Sequence, residues 1–293
     1  MKTSSKSILY SLTAVLLWST SATAFKLSLQ GMNNAQLLFY TSLISTVVLF
    51  ALIYAKGRLM SRDIVGKYLQ KNLVLGLLNP FLYYLVLFKA YSILPAQEAM
   101  VLNYTWPITV SIFAGIFLNH KLSLKIITGL VAAFFGVIVI ATHGDVFAME
   151  FKNGPGLALA AGSSVIWAAF WIINLKDERE PSIKLFSAFL FGTVFTAIYI
   201  LIFDSFVPAD PVSFIGAVYI GIFEMSVGFF LWLKGLETSP NKAKTSTLAY
   251  LAPFMSLLFI SFVLGEKVFI SSIFGLLLII SGIIYQQFPS KKE

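Results

Sequence analysis

Ten long apolar stretches constrain this chain more than any other feature. They run at about 7–27, 34–54, 73–94, 97–118, 124–142, 155–174, 184–203, 212–233, 244–264 and 270–288, with short connections between them. Crossing the hydrocarbon layer of a bilayer takes roughly 20 mostly apolar residues per helix, and each stretch is close to that length. Only 12% of the residues are charged and 58% are hydrophobic, whereas a soluble domain is about one quarter charged. Too little polar surface exists to coat a water-facing shell. The expectation is an all-α membrane protein of ten transmembrane helices, with no separate soluble domain.

The net charge of +8 raises the question of an anionic partner, and the distribution of the cations answers it. With the N-terminus placed in the cytoplasm, every lysine and arginine except Lys26, Lys89, Lys152 and Lys267 falls on the cytoplasmic side. The opposite loop around Asp204 and Asp210 carries no cation. That asymmetry is the positive-inside pattern, so the excess charge orients the chain. It reads as a multi-pass protein of a bacterial cytoplasmic (inner) membrane with both termini cytoplasmic. No basic segment is interleaved with base-stacking aromatics, so nucleic acid is not an expected partner. The expected partners are the lipid bilayer and a small-molecule substrate, with the oligomeric state open, a monomer included. Cysteine is absent, which excludes disulfides, thiolate nucleophiles and cysteine metal sites. Lys2 and Lys6 before an apolar run that reaches Ala22-Thr23-Ala24 imitate a secretory signal. The length of the run and its counterpart in the second half favour a retained first helix.

The chain also repeats itself. Lys89 and Pro95 match Lys234 and Pro240 at an offset of 145, and Tyr104, Pro107, Lys121, Gly129 and Gly136 match Tyr250, Pro253, Lys267, Gly275 and Gly282 at an offset of 146. Near the start of each half, Leu16-Leu17-Trp18-Ser19 resembles Val165-Ile166-Trp167-Ala168. The halves are read as residues 1–146 and 147–293, five spans each. Five is odd, so the second copy enters the membrane from the opposite side. Inverted repeats recur in transporters because two nearly equivalent packings can exchange roles, opening a midplane site to each side in turn. Pro80, Pro107 and Pro253 fall within spans, where proline kinks a helix. They are gating candidates or the ordinary prolines of membrane helices. The paired glycines at seven-residue spacing read as packing positions.

A charge near the bilayer centre is costly, which makes an intramembrane acid a functional candidate. Glu224 lies midway through the eighth span, and the repeat offset sets Asn79 of the third span opposite it. Glu224 could bind a substrate ammonium or couple transport by exchanging a proton, since burial disfavours the charged carboxylate. The alternative is a structural acid. Glu98 lies nearer the outer end of the fourth span, within reach of water or Lys89, and is a gating candidate. Trp167, Trp171 and Asn174 follow i, i+4, i+7 and Asn79 with Tyr83 follows i, i+4, stripes suited to stacking on a flat solute. Tyr10, Tyr54, Tyr199 and Tyr285 near span ends read as interfacial belt residues. His120 and His143 form no H-E-x-x-H pair, and neither a phosphate loop nor a Ser-His-Asp set can be assembled. No catalytic residue, metal or cofactor is expected, and an intramembrane enzyme is the alternative from another class.

The sequence resembles the drug/metabolite transporter superfamily in its EamA-type branch, whose members have ten spans made from two five-helix repeats. Pro253 followed by Gly265-Glu266-Lys267, Gly275 and Gly282 is similar to the family's pattern across spans nine and ten, while Asn119-His120-Lys121 replaces the Gly-Glu of the first half. Ala96-Gln97-Glu98 through Asn103-Tyr104-Thr105-Trp106-Pro107 resembles the aromatic amino-acid exporters of that branch. The resemblance implies export of, or facilitated exchange of, aromatic or other neutral amino acids. Carriage of another metabolite or drug in either direction is the alternative. Trp18, Asn79, Tyr83, Asn103, Tyr104, Trp106, Trp167, Trp171, Glu224 and Tyr250 are the expected cavity residues, with Asn103 and Glu224 addressing polar substrate groups.

Overall fold

The computed structural model describes residues 3–55, 66–117, 124–145, 153–175, 177–240, 245 and 247–287. Among these the structure is predominantly helical and holds no strand. Six runs are long and apolar enough to cross a membrane: Ser5–Ser28, Asn34–Ala55, Leu69–Ile93, Gly154–Asn174, Pro181–Phe203 and Pro211–Glu237. Ile127–Ile140, Leu248–Leu264 and Ile270–Tyr285 are shorter apolar helices. The outward faces carry large apolar side chains such as Leu201, Phe203, Phe262 and Ile270, whereas Ser11, Ser45, Ser187 and Thr196 are buried. This inverts the soluble pattern, because the hydrocarbon offers a hydroxyl no hydrogen bond. Several buried hydroxyls turn back onto their own helices: Thr193 and Thr196 donate to the carbonyls of Phe189 and Gly192, both at 2.8 Å.

Several spans are interrupted, each for a local reason. Helices α1 (Thr3–Ser19) and α2 (Ser21–Ser28) meet at Thr20. There the Ser19 and Thr20 hydroxyls donate to the Leu16 and Leu17 carbonyls at 2.6 and 2.7 Å, a back-bonding that bends helices. After α3 (Asn34–Ala55), the third span runs as α4 (Leu69–Gly76), a wider π-helical segment Leu77–Leu82 and α5 (Tyr83–Ile93). Proline removes one rung of the ladder at Pro80, and Asn79 before it is non-helical, with φ −146° and ψ 119°.

The span expected at 97–118 is divided into α6 (Ala96–Asn103) and α7 (Trp106–Phe117). Pro107 is the second residue of α7, where its missing N–H has no intrahelical acceptor to lose. Its side chain lies outside the described residues. Beyond α8 (Leu124–Ala141), α9 (Gly154–Leu175) and α10 (Pro181–Phe203), the eighth span repeats the design of the third: α11 (Pro211–Tyr219), a π-helical segment Ile220–Gly228 and α12 (Phe229–Glu237). Asp210 caps α11 by accepting from the Val212 and Ser213 amides at 2.9 and 3.1 Å. A 3-10 turn at Thr247–Tyr250 precedes α13 (Leu251–Leu264), and α14 (Ile270–Gln287) closes the described chain. Pro253 occupies the first turn of α13. At both prolines a helix begins, where the sequence led us to expect a kink in a continuous one.

The helices pair as α3 with α10, α8 with α14, α1 with α12 and α5 with α9. Between α3 and α10, the Thr46 and Thr193 hydroxyls meet at 3.2 Å. Between α8 and α14 the glycines of the sequence pattern interlock. A Cβ added to Gly136 would stand 2.6 Å from the Gly275 carbonyl oxygen, and one on Gly282 would stand 2.5 Å from that of Gly129. Only glycine allows the backbones so close, as their spacing suggested.

Candidate functional site

The interruptions surround a cavity of about 80 Å³. Its wall draws on α1 and α2, on α5, on the break between α6 and α7, on α9, and on the π segment that leads into α12. Aromatic rings supply most of that wall in mutual contact. Tyr83 and Trp167 lie 4.6 Å apart between centroids, Trp18 and Trp232 5.2 Å, and Trp167 meets Trp171 edge-on at 6.0 Å. Such offset and edge-on arrangements are the preferred geometries of aromatic pairs, and they hold each ring in place.

Glu224 is the one acid of the lining among the described residues, and its side chain is buried. The Tyr84 hydroxyl donates to its Oε1 at 2.6 Å, while Oε2 is buried and meets no hydrogen-bond donor. No lysine, arginine or histidine lines the cavity among the described residues. The amide of Asn103 is committed within the protein: Oδ1 accepts from the Tyr83 hydroxyl at 3.2 Å, and Nδ2 donates to Ser163 Oγ at 2.8 Å. Asn103 therefore fixes the ring of Tyr83 and keeps one further amide N–H beyond its bond to Ser163. The indole N–H groups of Trp18 and Trp171 are buried without an acceptor.

Of the cavity residues expected from sequence, Trp18, Tyr83, Asn103, Tyr104, Trp106, Trp167, Trp171 and Glu224 line this space, and Asn79 and Tyr250 do not. Asn79 is fully buried with neither amide atom hydrogen-bonded. The extended backbone at Asn79 breaks the i, i+4 register that would have set its side chain beside Tyr83. Tyr250 joins the packed core at the start of α13. Sequence reasoning missed Tyr84, Phe229, Trp232, Phe25 and Tyr91, all of which line the cavity. Two helical stripes carried the signal for three of them: Trp18-Ala22-Phe25 in the first span, and Glu224-Gly228-Trp232 with Phe229 beside it in the eighth.

A set of polar clasps closes the end of the molecule that carries Pro95 and Gly265. Lys26 Nζ donates to the Tyr91 and Leu94 carbonyls at 2.7 and 2.6 Å, at the C-terminal end of α5, where unpaired carbonyls favour a cation. The Ala96 amide, opening α6, donates to both carboxylate oxygens of Glu266 at 3.1 and 3.0 Å. Gln97 ties the same turn to the α13–α14 loop, donating to the Lys267 carbonyl at 2.8 Å and accepting from the Phe269 amide at 2.9 Å. Glu98 pairs with His143 Nε2 at 3.0 Å, so its partner is a histidine and not Lys89. The sequence counterparts of these clasps, His120 and Asn241, lie outside the described residues.

At the opposite end, in the loop between α9 and α10, Arg179 donates to Asp177 Oδ2 at 2.7 Å and to Asn72 Oδ1 at 2.7 Å. Lys71 approaches the same carboxylate at 3.9 Å. Burial pushes the Asp177 carboxyl up, and the Arg179 hydrogen bonds and nearby positive charges overcome it, holding it below the usual aspartate value. No group of three or more metal-binding side chains occurs among the described residues.

The EamA-like transporter family model matches this chain twice, over residues 5–142 and 154–285. The chain belongs to the EamA-like transporter family. This EamA-like protein is 26% identical over 257 residues to the aromatic amino acid exporter YddG of Ancylobacter novellus, covering 87% of each chain. It is 25% identical over 295 residues to the uncharacterized transporter YoaV of Bacillus subtilis, covering 96% of this chain and 97% of that one. A crystal structure of a protein 22% identical in sequence superposes with a TM-score of 0.69 over 96% of both chains, a likeness of fold alone. The family and these relatives place the protein in the drug/metabolite transporter superfamily as a multi-pass membrane transporter and not an enzyme.

Proposed function

We propose that this transporter exports, or facilitates the exchange of, aromatic and other neutral amino acids by alternating access across a bacterial cytoplasmic membrane. The proposal includes ten spans, cytoplasmic termini and two inverted halves, residues 1–146 and 147–293. The observation that carries the reading is the cavity: a ring of interlocked aromatic side chains around a buried carboxyl. Such a wall suits a small solute that has a flat or apolar body and an amino group. The Ancylobacter novellus relative carries the name of an aromatic amino acid exporter, which supports the same choice.

Rocking of the halves is supported by the way corresponding elements meet. Thr46 touches Thr193 between α3 and α10, the glycines of α8 face those of α14, and matching π segments interrupt the third and eighth spans. The breaks before Pro107 and Pro253 sit where those halves would flex. The clasps at Lys26, Gln97, Glu98 and Glu266 would have to release for the cavity to open on that side. Glu224 is the candidate coupling group, since a proton and a substrate ammonium would compete for one carboxylate.

The test is flux of radiolabelled phenylalanine, tryptophan and threonine, with an unrelated sugar as control, in liposomes containing the purified protein. Saturable flux of the aromatic amino acids is expected. Saturable movement of none of the three amino acids overturns the substrate assignment.

A further inference from the structure

We infer that this cavity prefers aromatic monoamines, organic cations without a carboxylate, over the amino acids that share their ring. The inference rests on the proposed reading of the cavity as the substrate site and narrows what that site takes. An amino acid brings two opposite charges, and the wall offers fixed chemistry for only one of them.

The cationic end is well provided for. Glu224 Oε2 is buried without a donor, beside the Oε1 that Tyr84 holds at 2.6 Å. An ammonium placed against Oε2 would complete the carboxylate's hydrogen bonding and make a short charge-assisted contact. The same cavity wall carries Tyr83, Trp167 and Phe229, and aromatic faces attract a cation through the ring quadrupole, tryptophan most strongly. Trp167 packs on both of its neighbours, 4.6 Å from Tyr83 and 5.4 Å from Phe229 between centroids. The rings are therefore set before a solute arrives.

The anionic end of an amino acid meets a poorer environment. Among the described residues no basic side chain lines the cavity. Lys26, the nearest cation along the second helix, spends its ammonium on the Tyr91 and Leu94 carbonyls. Asn103 gives one of its two amide N–H groups to Ser163, and the amide is neutral. Trp18 and Trp171 add buried indole N–H groups without an acceptor, and these donors are neutral. That of Trp18 is walled by Gly228, where an added Cβ would stand 2.9 Å from the indole nitrogen. Burying a carboxylate with no opposite charge beside it is unfavourable. Placing it near Glu224 adds repulsion between like charges.

The experiment compares two solutes with the same ring, phenethylamine and phenylalanine, by equilibrium binding to the full-length protein in nanodiscs. Binding is counted only where excess unlabelled solute displaces it, which removes partitioning into lipid. We expect phenethylamine to bind at least tenfold more tightly, a difference of about 1.4 kcal/mol. The Glu224→Gln variant should lose most of that margin, and Glu224→Asp should keep it. Equal or tighter binding of phenylalanine by the wild-type protein overturns this inference and leaves amino-acid transport standing. Displaceable binding of neither solute overturns the reading of the cavity, and the inference with it. A preference for the amine that survives in Glu224→Gln overturns the role given to the carboxylate.

Discussion

Asp177 and Glu224 are both buried acids, 5% and 7% exposed, yet their surroundings are opposite in kind. Asp177, in the loop between α9 and α10, receives the Arg179 guanidinium and lies near Lys71. Glu224, inside the eighth span, receives one tyrosine hydroxyl and retains an oxygen without a partner. An ion-paired acid of the first kind locks elements together. An acid of the second kind has bonding capacity left for something that arrives. The contrast separates an ion-paired carboxylate from one with an open bonding position, although both side chains are nearly inaccessible to solvent.

The sharpest way to break this comparison is to remove the charge from each acid's site in turn. Glu224→Gln should lower saturable amino-acid or amine flux about a hundredfold, the scale seen when one member of a buried charged pair is removed. Its melting temperature should stay near that of the wild type. Equal loss of flux and stability would make Glu224 structural.

Arg179→Ala should do the reverse, leaving solute affinity unchanged while lowering stability by about 3 kcal/mol, because it strands a buried carboxylate. The pH dependence carries a definite sign. The folded-state value for Asp177 is depressed, so its contribution is present above the ordinary aspartate value near ~3.9. It disappears as the pH falls through the depressed folded value. In Arg179→Ala that contribution, and the loss of stability on acidification that goes with it, should be absent, as read from thermal melts at a series of pH values. An unchanged profile would mean that the pair does not hold the loop.

The smallest effect belongs to Tyr84→Phe. Loss of one hydroxyl from the carboxylate should weaken solute binding by about fivefold, the scale of one hydrogen bond of roughly 1 kcal/mol. Binding unchanged in this variant would show that Tyr84 does not orient Glu224.

Much of the architecture was legible along the chain because hydropathy is a sum over neighbours. Six of the expected spans appear as long apolar helices and three more as shorter ones. The fourth was misread as continuous because apolarity carries across a break: Asn103-Tyr104-Thr105 ends one helix, and Trp106-Pro107 starts another. The glycines at 129, 136, 275 and 282 were read correctly as packing positions, since few other roles suit that spacing in a membrane. The site was legible where aromatic residues and an acid recur at helical spacing, as at Trp167, Trp171 and Glu224. It failed at Asn79, where the non-helical backbone in a π segment changes which residues face inward. That change hides Asn79 and brings Tyr84, one residue off the expected stripe, onto Glu224.

Sequence by itself determined that this chain lives in a bilayer, where its apolar stretches lie and that an acid sits within one of them. Those follow from transfer free energies that add residue by residue. Only the tertiary structure decided which polar groups share a cavity, that Asn103 is bonded to Tyr83 and Ser163, and that Glu224 has a phenol beside it and, among the described residues, no cation in its cavity wall. Those depend on helix rotation and on partners distant along the chain, and the breaks at Asn79, Tyr104 and Ile220–Gly228 set that rotation.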